Sequence, residues 1–237
     1  MQIIPAILPK DFEELEDKIE SVKSLLDWAP LTGFVQVDVC DGRFVPNFSW
    51  PFRKHDKNFE AILREDRGLP AWEDVEYEID LMVAEPEEAA MQWVTAGASR
   101  LVIHVESVKD PKSILSILKN TGELTEVGLA INIDTPNEAL AEFADQIKFI
   151  QCMGIARIGY QRQPFDPRVL EKIKAIKKLY PGVLISVDGG VSLETAPLLR
   201  DAGADRLIVG SAIFGSDAND ADPTNVVQTI DRFRNLL

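Results

Sequence analysis

Eight short apolar runs punctuate this chain: "QIIPAIL", "FVQVDV", "YEIDLMV", "RLVIHV", "VGLAIN", "IKFIQCM", "VLISVD" and "DRLIVG". Each has the length and the β-branched content of a strand. Between them lie amphipathic segments with helical spacing, among them "DFEELEDKIESVKSLL", "PEEAAMQWVTAG", "PKSILSILKN", "PNEALAEFA", "DPRVLEKIKAIKKLY" and "SLETAPLLRDAG". Several open on Pro or Asp and close on Gly, the chemistry of helix starts and stops. Strict strand and helix alternation demands a parallel sheet, because parallel neighbours need a crossover and a helix supplies it. Eight such units, with "NVVQTIDRFRNLL" as a last helix, predict an α/β fold of the (β/α)8 TIM barrel type; an open doubly wound sheet is the alternative. The least regular stretch, residues 44 to 74, reads as a long loop carrying one short helix, "KNFEAILRED".

At 237 residues and 46% hydrophobic content the chain can bury one large core, so a single domain over residues 1–237 is expected. No run approaches the roughly 18 apolar residues of a membrane span, and the first residues lack a basic segment followed by a cleavable apolar one. A formal charge of −14 disfavours nucleic acid and anionic membrane, both of which require a basic footprint. Two cysteines, Cys40 and Cys152, are too few for a disulfide framework and fit a reducing, cytoplasmic location. An anionic ligand would have to be held by local groups.

Inside a barrel, alternate residues of each strand point inward, and chemistry collects at the carboxyl ends. With Val35, Val37 and Val39 facing the helices, Gln36, Asp38 and Cys40 face the interior. With Ile79, Leu81 and Val83 outward, Asp80 and Met82 point in, and Val187 outward leaves Asp188 inward, ahead of "GG". Asp38, Asp80 and Asp188 therefore converge with the Gln36 amide beside them. Taken singly, each aspartate could merely cap the following helix. Together, three like charges within a few ångströms force a proton onto at least one of them or call for a cation.

These residues, in the order "PAIL", "VDVCDGRFVPN", "DLMV", "SVDGGVS" and "VGSAIF" along nearly the whole chain, resemble the ribulose-phosphate 3-epimerase family. The resemblance implies a ribulose-phosphate-binding (β/α)8 barrel that interconverts D-ribulose 5-phosphate and D-xylulose 5-phosphate by moving a proton at C3, commonly with a divalent metal. It implies that Asp38 and Asp188 act as acid and base on opposite faces of the sugar. Removing the proton beside a ketone makes an enediolate, whose charge needs a metal or hydrogen bonds. Met82 and Met153 match the family's sulfur-lined wall, and Cys40 stands where a third methionine is usual.

The departures from the family pattern are as specific as the matches. Gln36 and Asp80 replace the two metal-binding histidines. If Gln36 turns its carbonyl inward, the set Gln36, Asp38, Asp80 and Asp188 is all oxygen, which suits Mg²⁺ or Mn²⁺ over Zn²⁺; a lost metal is the other outcome. Ala6 removes a serine that contacts substrate. Phosphate is expected on the last loops, at backbone N–H groups of Gly189, Gly190, Gly210 and Ser211. In the sixth loop, "GIARIGYQRQPFD", Gln161 and Arg162 stand at or near the family's paired glycines, so Arg162 is a candidate phosphate ligand. His104 reads as a strand histidine with a local partner and His55 as a surface residue. Two classes follow: an epimerase of a phosphorylated ketopentose, or a phosphosugar lyase or non-catalytic phosphosugar-binding barrel. No nucleic-acid or membrane partner is expected, and assembly into a homo-oligomer stays open.

Overall fold

A computed structural model describes residues 1–26, 33–53, 56–215 and 223–236. Its strands are β1 (Gln2–Ile7), β2 (Phe34–Cys40), β3 (Glu76–Met82), β4 (Arg100–His104), β5 (Glu126–Ile131), β6 (Phe149–Met153), β7 (Leu184–Asp188) and β8 (Arg206–Val209). All pair in parallel and in chain order, and β8 returns to β1 from Gln2↔Arg206 to Pro5↔Val209, which closes the sheet. That pairing excludes the open sheet. The helices are α1 (Phe12–Leu26), α2 (Lys57–Leu63), α3 (Glu87–Thr95), α4 (Lys112–Asn120), α5 (Arg168–Leu179), α6 (Ala196–Ala202), α7 (Ser211–Phe214) and α8 (Pro223–Leu236). His55 lies outside the described residues. No helix among those described is long and apolar enough to cross a membrane.

The main core lies between the barrel and its helices. Val35, Val37, Val39, Ile79, Leu81 and Val187 are all buried there, so the outward lanes are the predicted ones. On α1 the buried Phe12, Leu15, Ile19 and Val22 recur at three- and four-residue spacing, the stripe a helix needs to lie on a sheet. The long segment after β2 carries Trp50 and Phe59, which join Phe12 and Trp93 in one aromatic cluster with centroid separations of 4.9 to 5.6 Å. Asp56 caps α2, its Oδ1 accepting from the N–H groups of Asn58 and Phe59.

One expected helix takes a different form. "PNEALAEFA" is a 3-10 segment, Asn137–Leu140, followed by turns. Its bonds run three residues apart: the N–H of Ala139 donates to Pro136 O, that of Phe143 to Leu140 O and that of Gln146 to Phe143 O. This spacing still buries Leu140, Phe143 and Ile147. The apolar period alone does not separate the two helix types at that length.

At its amino end the barrel is plugged from within. Arg100 meets Glu78 at 3.4 Å and Glu126 at 2.9 Å and lies 3.4 Å over the Phe34 ring. Phe149 fills the space beside them, made available by Gly128, where an added Cβ would meet the Phe149 ring at 2.4 Å. The open end is therefore the carboxyl end.

Candidate active site

Strand register assembles the carboxylates. Asp38 on β2 lies opposite Asp80 on β3, and Asp188 on β7 lies opposite Met153 on β6. One carboxylate oxygen from each of Asp38, Asp80 and Asp188 falls within 4.8 Å of the others. The site residues read from the strand parity thus come together as a group.

Three neutral or ionisable donors tie this group. The Gln36 amide donates through Nε2 to Asp38 Oδ1 at 2.8 Å and to Asp188 Oδ2 at 3.3 Å. Gln151, on β6, donates through Nε2 to Asp80 Oδ2 at 3.0 Å and to Asp188 Oδ2 at 3.5 Å. His104, at the end of β4, places Nε2 3.0 Å from Asp80 Oδ1. Gln36, Asp80, His104 and Gln151 are all buried. The hydrogen-bond partner of His104 comes from the neighbouring strand, while the following segment brings Glu106 Oε2 to 3.9 Å from its Nδ1. Gln36 presents its N–H to the carboxylates and leaves Oε1 without a partner. A ligand role for it requires the amide to turn over.

The electrostatics follow from burial. Asp188 is pushed up to about 7, first by burial and then by the charge of Asp80, against the lowering bonds from Gln36 and the Gly189 backbone. Asp38 rises well above the ordinary carboxylate range, by burial and by repulsion from Asp188 and Asp80. Burial alone would lower the His104 imidazole, but the Asp80 carboxylate outweighs it and the net direction is upward. Without a cation, the site holds at least one proton near neutrality. The oxygen-only set fits a hard divalent cation, since three carboxylates gathered at this separation supply both the charge and the donors such an ion takes.

Above the carboxylates lies a cavity of about 60 Å³ whose walls include Asp38, Asp188, Met82, Met153, Ala6 and Arg162. Gly189, Gly190, Gly210 and Ser211 border the same cavity. Gly189 and Gly190 have φ of +92° and +69°, the left-handed region that costs other residues energy, so this turn after β7 requires glycine. Arg162 has φ of +59° and holds the same conformation without being glycine. The loop bends as a glycine loop would, with an arginine in it. Gln161 also borders a cleft of about 520 Å³ towards the β1–α1 loop, and Arg162 one of about 550 Å³ beside Ser192, Thr195 and Ser211.

Cys40 is not part of the cavity wall. It packs with Val45 and Met82 behind the site, because Val45 from the loop after β2 roofs the end of that inward lane. Burial, then the charge of Asp38, drives its thiol pKa up, which leaves an inert thiol. Gln151 escaped the sequence reading, although its parity with Met153 on β6 signals an inward side chain.

A profile of the Ribulose-phosphate 3 epimerase family matches residues 2–214. Among curated relatives, the ribulose-phosphate 3-epimerase of Schizosaccharomyces pombe (strain 972) is 32% identical over 214 residues, 90% of this chain and 86% of that one. The ribulose-phosphate 3-epimerase of Bacillus subtilis (strain 168) is 30% identical over 220 residues, 91% and 93% of the two chains. Among solved structures, KGPDC from Streptococcus mutans superposes with a TM-score of 0.63 at 14% identity, covering 98% of both chains. A 3-hexulose-6-phosphate synthase gives 0.62 at 18% identity, covering 97% of this chain and 99% of that one. At these identities the structural likeness speaks to the fold alone.

Proposed function

The chain belongs to the ribulose-phosphate 3-epimerase family, and from that premise we propose that it epimerises a ketopentose phosphate, as its relatives' names describe, by proton transfer between Asp38 and Asp188. The observation that carries this reading is the convergence of two carboxyls with raised pKa, from β2 and β7, on one cavity bordered by glycine turns. A two-base epimerisation needs one member ionised and the other protonated. Mutual repulsion in a buried site favours that mixed state near neutrality. The ionised member takes the proton from the carbon beside the ketone, the C–H pair becoming the enediolate C=C bond as the carbonyl π pair moves to oxygen; the oxyanion then re-forms the ketone as the C=C pair takes a proton from the other carboxyl on the opposite face. Met82 and Met153 form an apolar wall that keeps water from the planar intermediate.

For the phosphate, the backbone N–H groups of Gly189, Gly190, Gly210 and Ser211 are the proposed donors, with Arg162 from the sixth loop as a charged partner. Gln36, Asp38, Asp80 and Asp188 are the proposed holders of a divalent ion, Mg²⁺ or Mn²⁺ in preference to Zn²⁺. Such an ion supplies electrostatic stabilisation of the enediolate charge. Deuterium wash-in from solvent at the substrate carbon tests the assignment. Asp38→Asn and Asp188→Asn should each abolish exchange with the fold intact; near wild-type exchange in either variant would overturn it. Fragmentation of the sugar, or binding without exchange by the wild type, would instead support the lyase or the non-catalytic reading.

A further inference from the structure

Gln151 has no part in the chemistry assigned above, yet its side chain ends among the carboxylates. It is wholly buried, and only its Nε2 is used: 3.0 Å from Asp80 Oδ2 and 3.5 Å from Asp188 Oδ2. Its Oε1 has no partner. Gln36, on β2, repeats the pattern, with Nε2 2.8 Å from Asp38 Oδ1, 3.3 Å from Asp188 Oδ2, and Oε1 again without a partner. Two buried amides thus meet the acidic cluster from different strands, each with a carbonyl oxygen unsatisfied. A buried acceptor left unpaired costs roughly 1–3 kcal/mol.

The terminal torsion of glutamine is broad and nearly two-fold, so half a turn exchanges Oε1 for Nε2 at the same place. Building on the metal reading above, we propose that Gln151 is a fifth protein ligand of the divalent cation, and that Gln36 and Gln151 both turn their carbonyl oxygens inward when the cation binds. The spacings suit this. Adjacent ligands of an octahedral ion with bonds of about 2.1 Å stand about 3.0 Å apart, and the four amide-to-carboxylate distances run from 2.8 to 3.5 Å. An amide is the side chain that can serve both states. Its N–H groups hold the carboxylates together without the ion, and its carbonyl joins them around the ion. A leucine at 151 could do neither, and a carboxylate could do only the second.

Calorimetric titration of chelator-stripped protein with Mn²⁺ tests the inference independently of turnover. Gln151→Leu should weaken Mn²⁺ binding roughly tenfold to hundredfold, while Gln151→Glu, which keeps an oxygen and loses the N–H, should bind as tightly as the wild type or more tightly. A Leu variant with wild-type affinity would overturn the proposal. If that variant fails to fold, the Glu variant decides, a tenfold loss there being fatal. A wild type that binds no Mn²⁺ would refute the underlying metal reading as well, a result distinct from normal wild-type binding that is indifferent to residue 151.

Discussion

Asp188→Asn should make the metal-free protein more stable at neutral and alkaline pH while removing its catalysis. Burial and Asp80 hold the Asp188 carboxyl at about 7, against an ordinary value of 3.8. A carboxyl raised in the folded state contributes its full stability below the unfolded value, near 4, and loses it as pH rises through about 7. Above pH 7 the folded wild type must carry a charge that the unfolded chain carries more easily. Over that interval the loss is roughly 4 kcal/mol at 1.36 kcal/mol per pH unit; the partial exposure of Asp188 reduces it to about 2 to 3 kcal/mol. Asparagine never ionises, and its Oδ1 can still accept from the Gln36 and Gln151 amides. It also removes one of the charges that raise Asp38. Thermal unfolding with a chelator present should therefore give equal midpoints for the two proteins near pH 4. At pH 8 the variant should unfold roughly 4 to 12 °C higher, at 2–4 °C per kcal/mol for a chain of this size. A variant less stable at pH 8, or a difference that does not change between pH 4 and 8, would refute the electrostatic account of the site.

Metal analysis after dialysis, followed by restoration with single ions, should show Mn²⁺ or Mg²⁺ outperforming Zn²⁺; stoichiometric Zn²⁺ retained through dialysis and acting as the best activator would sink the oxygen-only site. Arg162→Ala should raise KM for the phosphorylated sugar roughly tenfold to hundredfold, the size of a lost charge-assisted hydrogen bond of about 1.5 to 3 kcal/mol. The same change should leave the weaker reaction of the unphosphorylated sugar alone, and equal loss on both would mean that Arg162 only shapes its loop.

How far the sequence carried can be traced lane by lane. A strand side chain alternates faces with period two, so fixing the valines of β2 outward fixes Asp38 and Gln36 inward, and the same logic placed Asp80 and Asp188. The closure of β8 onto β1 was legible only as a count of eight units, because no local pattern encodes a pairing between chain ends. Gln151 was missed because "FIQCM" reads as an apolar strand with one polar interruption, and its importance lies in contacts with Asp80 and Asp188, 71 and 37 residues away. Cys40 has the correct parity, yet a loop residue, Val45, roofs it, and loop packing is not periodic. Arg162 was legible as a residue standing near the family's paired glycines, but not its left-handed backbone, which the fold imposes at a local cost of roughly 1–2 kcal/mol. Strained residues of this kind gather at functional sites.

The charge distribution resolves how a chain of formal charge −14 could accept an anionic sugar. The cleft that shares Gln161 with the carboxylate-lined cavity is itself lined by Lys10, Lys18 and Arg53, with Glu14 as its acidic member. Glu14 is engaged by Lys18 at 2.8 Å, whereas neither the Lys10 nor the Arg53 side chain meets a carboxylate within ion-pair distance among the described residues. Arg162 borders the cavity on its other flank. The carboxylates of the site sit deeper, at the strand ends, where their charge is reduced by retained protons or by a cation. A phosphate in either flanking cleft would therefore have a cation within reach, Lys10 and Arg53 in one and Arg162 in the other, and beyond about 8–10 Å the remaining surface charge is largely screened at physiological salt. Net charge governs solubility and long-range encounter; the few groups within a screening length of the mouth govern what is admitted.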